Sequence, residues 1–258
     1  MNANRQTTEI SDISLRTAAL VAGFGSVLTA IVAGFAFGFV HASLIVPADA
    51  AATVSNITAS GTLFRAGIFA WLITIILDLL VAWSLYVFFK PVNRSVALLL
   101  GWLGVAAATI SGIAQLDVVA VLPLLGGADY LKVFDPAQLH ALAFLFINAF
   151  DKIWAIGLFV FGCHLLVRGY LALKAGYIPR IFGVLLVIAS LCYLVTTSAN
   201  ILLPNYDTYK ATVDMIIAGP LAIGELGLAF WLIFRGGKTG SIGVKTPRKD
   251  ERIIPAVQ

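Results

Sequence analysis

Six long runs of apolar residues limit what this chain can fold into. A helix needs about 20 apolar residues to cross the roughly 30 Å hydrocarbon layer of a bilayer, and each run is long enough. The runs occupy residues 17–40, 62–89, 95–125, 142–167, 181–203 and 211–234. The composition agrees, since 60% of the residues are hydrophobic and 12% are charged, which is far from the balance of a soluble domain. We therefore predict an all-α bundle of six transmembrane helices.

The positively charged residues fall on alternate connections between the runs. Of the 17 lysines and arginines, 13 lie before the first run, in the second and fourth connections, or after the last run. These are Arg5, Arg16, Lys90, Arg94, Arg168, Lys174, Arg180, Arg235, Lys238, Lys245, Arg248, Lys249 and Arg252. The positive-inside rule assigns that side to the cytoplasm. We expect both termini inside, with tails at 1–16 and 236–258 flanking a membrane domain at 17–235.

This topology indicates a multi-pass protein of a bacterial cytoplasmic membrane, with the lipid bilayer as its partner. The first run is longer than the roughly 7 to 15 apolar residues of a secretory leader, so we expect it to remain as a span. The basic C-terminal segment is typical of a solvated tail near anionic lipid. It does not indicate a nucleic-acid partner, and the oligomeric state is left open.

The first connection on the outer side contains residues that break and start helices. Pro47 interrupts the first run, Asp49 can cap a new helix, and Gly61 can end it. We expect a short peripheral helix there. In a later connection, Asp135 followed by Pro136 is typical of a helix start, which predicts that the fourth helix begins ahead of its apolar run.

Small residues recur at every fourth position of the first span. A face without bulky side chains lets another helix approach closely. We predict that this stripe packs against a neighbouring helix. Its members are Ala18, Ala22, Ser26, Ala30, Gly34 and Gly38.

Four stretches along the chain carry a family resemblance: FRAGIFAWLITIILDLLVAWSLYVFFKPVNR, GADYLKVFDPAQLHALAFLF, GLFVFGCHLLVRGYLALKAGYIPRIFGVLL and ELGLAFWLIFRGG. Over nearly its whole length the chain resembles a bacterial family of integral membrane proteins catalogued as domain of unknown function 4386. The resemblance implies six spans. It carries over no activity and no functional residues, so function has to be argued from the residues themselves.

Several ionisable side chains lie inside the predicted spans. Each charge there costs about 3 kcal/mol or more unless a partner, water or protonation offsets it. Counting about 1.5 Å per residue, Asp78, in WLITIILDLLVAW, and Glu225 fall near mid-depth. Together with these two, the candidate ligand- or ion-binding set contains five residues of the outer half: Arg65, Asp117, Asp151, Asn200 and Asp214. This distribution predicts a polar cavity biased toward the outer side.

Helical spacing places polar or small residues on one face of three spans. The face of the second span contains Gly67, Trp71, Thr74, Asp78 and Ala82; that of the fifth contains Ser190, Tyr193, Thr197 and Asn200; that of the sixth contains Asp214, Ala218, Ala222, Glu225 and Ala229. Convergence of these faces on one void would favour binding or transport of a small solute, ion or proton.

Three other interpretations fit the same residues. Asp78 and Glu225 could be hydrogen-bonded structural groups. The carboxylates could serve a membrane-embedded enzyme, although no nucleophile is identified. The chain could also be a structural or accessory membrane subunit.

The histidines offer one further hypothesis. His41 and His140, at the outer rim, could hold a metal or a haem. No spacing such as HExxH or a serine elbow supports catalysis or a metal, and His164 is expected to be an interfacial or packing residue. We therefore expect no catalytic residue, no metal and no cofactor.

Overall fold

The structure is a computed structural model that describes residues 13–238, without the side chains of residues 207, 210, 211, 214–218, 220 and 221. Seven helices account for most of the described chain. They are α1 (Leu15–Leu44), α2 (Ala50–Ala59), α3 (Gly61–Phe89), α4 (Arg94–Leu125), α5 (Pro136–Lys174), α6 (Arg180–Leu202) and α7 (Asp207–Phe234). A turn of 3-10 helix, Asp129–Leu131, precedes α5. The described residues form no strand, in agreement with the all-α prediction.

Capping side chains explain where four of these helices begin. Ser14, Asp49 and Asn93 each accept a hydrogen bond from the backbone amide three residues later, at 2.8 to 3.0 Å. α5 begins with a capping box at Asp135 and with Pro136 in its first turn, as its sequence predicted. α2 lies where a short helix was expected, and its position outside a membrane stays a prediction.

The six long helices form a closed ring in chain order. α1 packs against α3, and α3 to α6 each pack against the next helix along the chain. α7 returns to pack against α1, so the ring has no open side. α2 rests mainly against α5.

Arg16 joins α1 to the end of α7 through hydrogen bonds to backbone carbonyls. Its Nη1 donates to Leu232 O at 3.2 Å and to Gly236 O at 2.7 Å, and its Nη2 donates to Ile233 O at 2.6 Å. The last carbonyls of a helix lack partners within the helix, and the helix dipole favours a cation beside them. Gly23 lets the two helices approach, since a Cβ there would lie 2.8 Å from a backbone oxygen of α7.

The two ends of the bundle differ in charge. We call the end where the chain enters α1 and leaves α7 the basic end, because it also carries the α3–α4 and α5–α6 connections with Lys90, Arg94, Lys174 and Arg180. The other is called the opposite end. A large apolar cluster that includes Phe88 fills the basic end.

Five helices, α1 and α3 to α6, are long and apolar enough to cross a membrane. In α7 the described apolar stretch, Ala222–Phe234, is shorter. Large apolar side chains are exposed around the ring, among them Phe24, Ile31, Phe69, Ile76, Trp102, Leu116 and Val195. An apolar exterior of this extent is expected of a multi-pass membrane protein. The number of six spans and their sidedness stay predictions.

The small-residue stripe of α1 is not one continuous packing face. Ala18 and Ala22 are fully buried, whereas Gly34 and Gly38 have no neighbouring atom within 4 Å of where a Cβ would lie. A four-residue repeat drifts by about 40° per step around an α-helix. The helix also widens to a π-helix at Gly34–His41, which changes the register again. The packing prediction therefore holds near the basic end and is wrong beyond the middle of the helix.

Candidate ligand-binding cavity

A cavity of about 460 Å³ lies inside the ring, and all six long helices contribute to its lining. Small-molecule sites have volumes of roughly 300 to 1,000 Å³, so the space suits a small solute. Space is left inside the ring because many lining residues have small side chains: Ala33, Ala82, Gly104, Ala107, Ala108, Gly157 and Ala222.

The cavity occupies the middle of the bundle and extends toward the basic end. Trp71 and Trp154 line it on the side of the opposite end, and Arg168 lines it on the basic side. Beyond the tryptophans, Phe37 and Phe150 pack against Trp154 with ring centroids 4.6 and 5.9 Å away. Bulky aromatic side chains fill the opposite end of the bundle, so, if the basic end is cytoplasmic, the cavity does not have the predicted outward bias.

Two carboxyl groups, those of Asp78 on α3 and Glu225 on α7, line the cavity. The Thr29 hydroxyl of α1 lies beside the Asp78 carboxyl group. The Tyr193 hydroxyl of α6 donates to Glu225 Oε1 over 3.5 Å, which is long for a hydrogen bond. Asp78 and Glu225 are close enough to interact electrostatically. Members of the predicted faces of α3, α6 and α7 thus meet at one void, to which the α6 face contributes Tyr193.

Arg168 brings a guanidinium group to the same cavity from α5. The residue is 3% exposed, and its Nε and Nη2 have no hydrogen-bond partner among the described residues. Glu225 attracts it electrostatically, but no ion pair within 4.0 Å joins these two described side chains. A buried donor left without a partner costs about 1 to 3 kcal/mol, and more when charged. Burial of this guanidinium group therefore lowers the stability of the fold.

His164 precedes Arg168 by one helical turn and also lines the cavity. Its Nδ1 lies 3.0 Å from Leu100 O, and because a carbonyl only accepts, the ring donates from Nδ1. The ring stacks on Phe161 at a centroid distance of 5.7 Å. Gly104 makes room for it, since a Cβ there would lie 3.1 Å from the imidazole. The Leu100 contact leaves Nε2 as the ring nitrogen available to a ligand.

The lining combines both signs of charge with hydroxyl groups and aromatic rings. Its hydroxyls come from Ser26, Thr29, Thr74, Ser111 and Tyr193. Among residues 13–238, no group of three or more His, Cys, Asp or Glu side chains is placed to hold a metal ion. This donor set suits hydrogen bonding and ion pairing with an organic solute.

Three other candidate residues do not contribute described side chains to the cavity. Arg65 is exposed on α3. Asp117 is half-buried on α4, where its Oδ2 has no hydrogen-bond partner. The side chain of Asp214 lies outside the described part of the chain.

The remaining two candidates take part in contacts between helices. Asp151 Oδ1 lies 3.9 Å from His41 Nε2, which links α5 to α1. Asn200 Oδ1 accepts a hydrogen bond from Lys152 Nζ at 3.1 Å, which links α6 to α5. Neither residue lines the cavity, and each contact joins two helices.

Sequence reasoning missed Arg168, which gives the cavity its positive charge, and His164, which brings an imidazole to it. Arg168 was counted as a connection residue, because the apolar run of the fourth span ends at residue 167, whereas α5 continues to Lys174. His164 was expected to be a packing residue. Their separation of four residues places both on one face of a helix, and this spacing was the available signal.

Comparison with known proteins places the cavity within a family. The family model described as Domain of unknown function (DUF4386) matches residues 21–236, which include every residue of the cavity lining. An uncharacterized protein of Archaeoglobus fulgidus is 29% identical over 175 residues, which cover 67% of this chain and 85% of that protein. No solved structure matches the chain. With more than half of its length matched, the chain belongs to the DUF4386 family.

Proposed function

We propose that this protein crosses the cytoplasmic membrane six times and binds a small solute in the central cavity. One observation carries the proposal: all six long helices line a cavity into which the fold directs a buried arginine that lacks hydrogen-bond partners. Ionisable groups inside a membrane bundle are costly and typically mark a path or a site for a solute. A solute that satisfies Arg168 would offset that cost.

The cavity groups are poorly explained as structural hydrogen-bonding groups. Structural polar groups within a membrane bundle typically bond across helices, as Lys152 does to Asn200. In the cavity, Arg168 lacks such bonds and Glu225 has one of 3.5 Å. A ligand therefore explains these groups better than packing does.

Transport of the same solute is a second candidate function. The cavity lies near the middle of the helices, with apolar clusters on both sides: one around Phe88 at the basic end and one around Ile57 at the opposite end. Transporters characteristically bind their solute near the bilayer midplane, between two barriers that open in turn. This arrangement supports transport over a passive structural role.

The binding proposal is tested by filling the cavity. Ala108 lines the cavity, whereas Ala106, on the same helix, is exposed. We expect Ala108→Phe to occupy the space, and Ala106→Phe serves as the matched control. Purified protein would be screened by thermal shift against amino acids, carboxylates, amines, sugars and nucleobases. Compounds should stabilise the wild type and the control but not Ala108→Phe; an equal response of all three proteins to every compound would refute the proposal.

The membrane arrangement has its own test. Two kinds of reporter would be fused after Lys90 and after Arg235, both of which lie at the basic end. A reporter that functions in the cytoplasm should be active at both positions, and one that functions in the periplasm should be inactive. A periplasm-active reporter giving signal at either position would contradict the proposed sidedness.

A further inference from the structure

The unpartnered edge of Arg168 has a specific shape. Nε and Nη2 are the two nitrogens whose N–H bonds point side by side along one edge of a guanidinium group. It is this pair that lacks partners. Two parallel donors match the two oxygens of a carboxylate or the oxygens of a phosphate, and bidentate pairs of this kind are among the strongest hydrogen-bonded contacts. Arg168 lines the cavity, so an oxyanion there would pair with this buried edge once the guanidinium group turns it toward the cavity.

The other side of the cavity has the opposite character. The Asp78 and Glu225 carboxyl groups are electrostatically coupled, and the protein donors near them are the Thr29 and Tyr193 hydroxyls. Two carboxylates in a medium of low dielectric constant are best satisfied by a cation between them. An ammonium group carries three N–H donors, which suits this pair.

The oxyanion position and the ammonium position are neighbours. Glu225 interacts electrostatically with both Arg168 and Asp78, so it is near both charged regions. Trp71 and Trp154 provide aromatic surface in the same cavity, where an apolar body or a cation can pack against the rings. A ligand bearing one charge of either sign would leave half of these groups unmatched.

We propose that the cavity binds a small zwitterion in which an oxyanion pairs with Arg168 and a nearby ammonium group lies between Asp78 and Glu225. This inference rests on the proposed function and specifies its solute class. Two sources offer the chemistry: a free amino acid, and the ethanolamine headgroup of a phospholipid that reaches the cavity from the bilayer. The experiment below separates the two sources.

The test measures calorimetric binding of four probes to the full chain in detergent. The probes are L-phenylalanine, its amine-only analogue 2-phenylethylamine, its acid-only analogue 3-phenylpropionate, and glycerophosphoethanolamine. We expect at least one zwitterion to bind ten-fold or more tightly than both singly charged analogues. Tighter binding of phenylalanine identifies a free solute, and tighter binding of glycerophosphoethanolamine identifies a headgroup.

Two variants should separate the contribution of the oxyanion to binding from that of the ammonium group. Arg168→Lys keeps the charge but removes the paired donors, so it should weaken the zwitterion and the acid by ten-fold or more and leave the amine unchanged. Asp78→Asn should weaken the zwitterion and the amine and leave the acid unchanged. Arg180→Lys, an exposed arginine at the basic end, is the control, and thermal unfolding verifies that each variant folds.

The outcomes separate this inference from the proposed function. Equal or tighter binding of a singly charged analogue overturns the zwitterion, and so does failure of all four probes to bind. In either case, other compounds whose stabilising effect is lost in Ala108→Phe would still support the cavity as a binding site. If the screen also yields no such compound, both proposals fail.

Discussion

Two arginines toward the basic end of the bundle are used in opposite ways. Arg16, at the contact between α1 and α7, donates three hydrogen bonds to backbone carbonyls at 2.6 to 3.2 Å. Arg168, on the cavity wall, is buried while its Nε and Nη2 form no hydrogen bond within the described part of the chain. The described residues supply hydrogen-bond acceptors for Arg16 but none for Nε and Nη2 of Arg168. Residues that lower stability without a structural benefit are typically found at functional sites, so the difference points to the cavity.

The largest effect is expected from removing the satisfied arginine. Arg16→Met should lower the free energy of unfolding by about 2 to 4 kcal/mol, since hydrogen bonds from charged donors contribute about 1.5 to 3 kcal/mol each and are not additive. Thermal unfolding in detergent measures the loss. Arg94→Met, at an exposed position of the same end, is the control. Equal melting temperatures for both variants would show that the contact does not hold the ring closed.

Removing the unsatisfied arginine, Arg168, should change the melting temperature in the opposite direction. Replacing Arg168 with Met and Glu225 with Leu together removes two buried charges, and such replacements are often neutral or stabilise by about 1 to 4 kcal/mol. We expect a higher melting temperature without ligand and no binding of the zwitterionic probes. A fall in melting temperature as large as that of Arg16→Met would mean that both arginines are structural.

A smaller, pH-dependent effect is expected at Asp78. When Asp78 and Glu225 are both ionised they repel each other, whereas protonation at acid pH removes the repulsion. Asp78→Asn should therefore raise stability relative to the wild type by about 1 kcal/mol at a pH where both groups are ionised, and the difference should shrink at a lower pH where one of them is protonated. Melting curves at both pH values measure it. Parallel curves across the whole range would indicate that the two carboxyl groups do not interact.

The smallest effect is expected at the opposite end. Lys152 is exposed and bonds to Asn200, and a polar contact of this kind typically contributes less than about 1 kcal/mol. Lys152→Gln should leave the melting temperature and the binding of the zwitterionic probes nearly unchanged. Loss of probe binding in this variant would extend the functional region beyond the cavity.

Periodicity alone predicted the helices and, most clearly for α3, the face that lines the cavity. Trp71, Thr74 and Asp78 follow one another at helical spacing, and all three line the cavity. The face of a helix depends on local geometry, which the sequence encodes directly. Asp78 could therefore be assigned to the interior before any contact was known.

The position of the cavity along the bundle, and the residues that meet there from different helices, could not be predicted in the same way. Arg168 was missed because a charge ends an apolar run without ending the helix that carries it. The position of the cavity along the bundle depends on side-chain volumes contributed by different helices, such as Trp154 on one side and Gly104 on another. No single span contains that information.

The closure of the ring between α1 and α7 also has a consequence for the order of synthesis. The chain emerges from its N-terminus, and early segments fold before late ones are made. Until α7 is in place, the wall that carries Glu225 is missing, and Arg16 has no carbonyls of that helix to bind. The nascent protein thus contains Asp78, and from residue 168 onward also Arg168, without an enclosed space between them, and the cavity is created when α7 joins the ring.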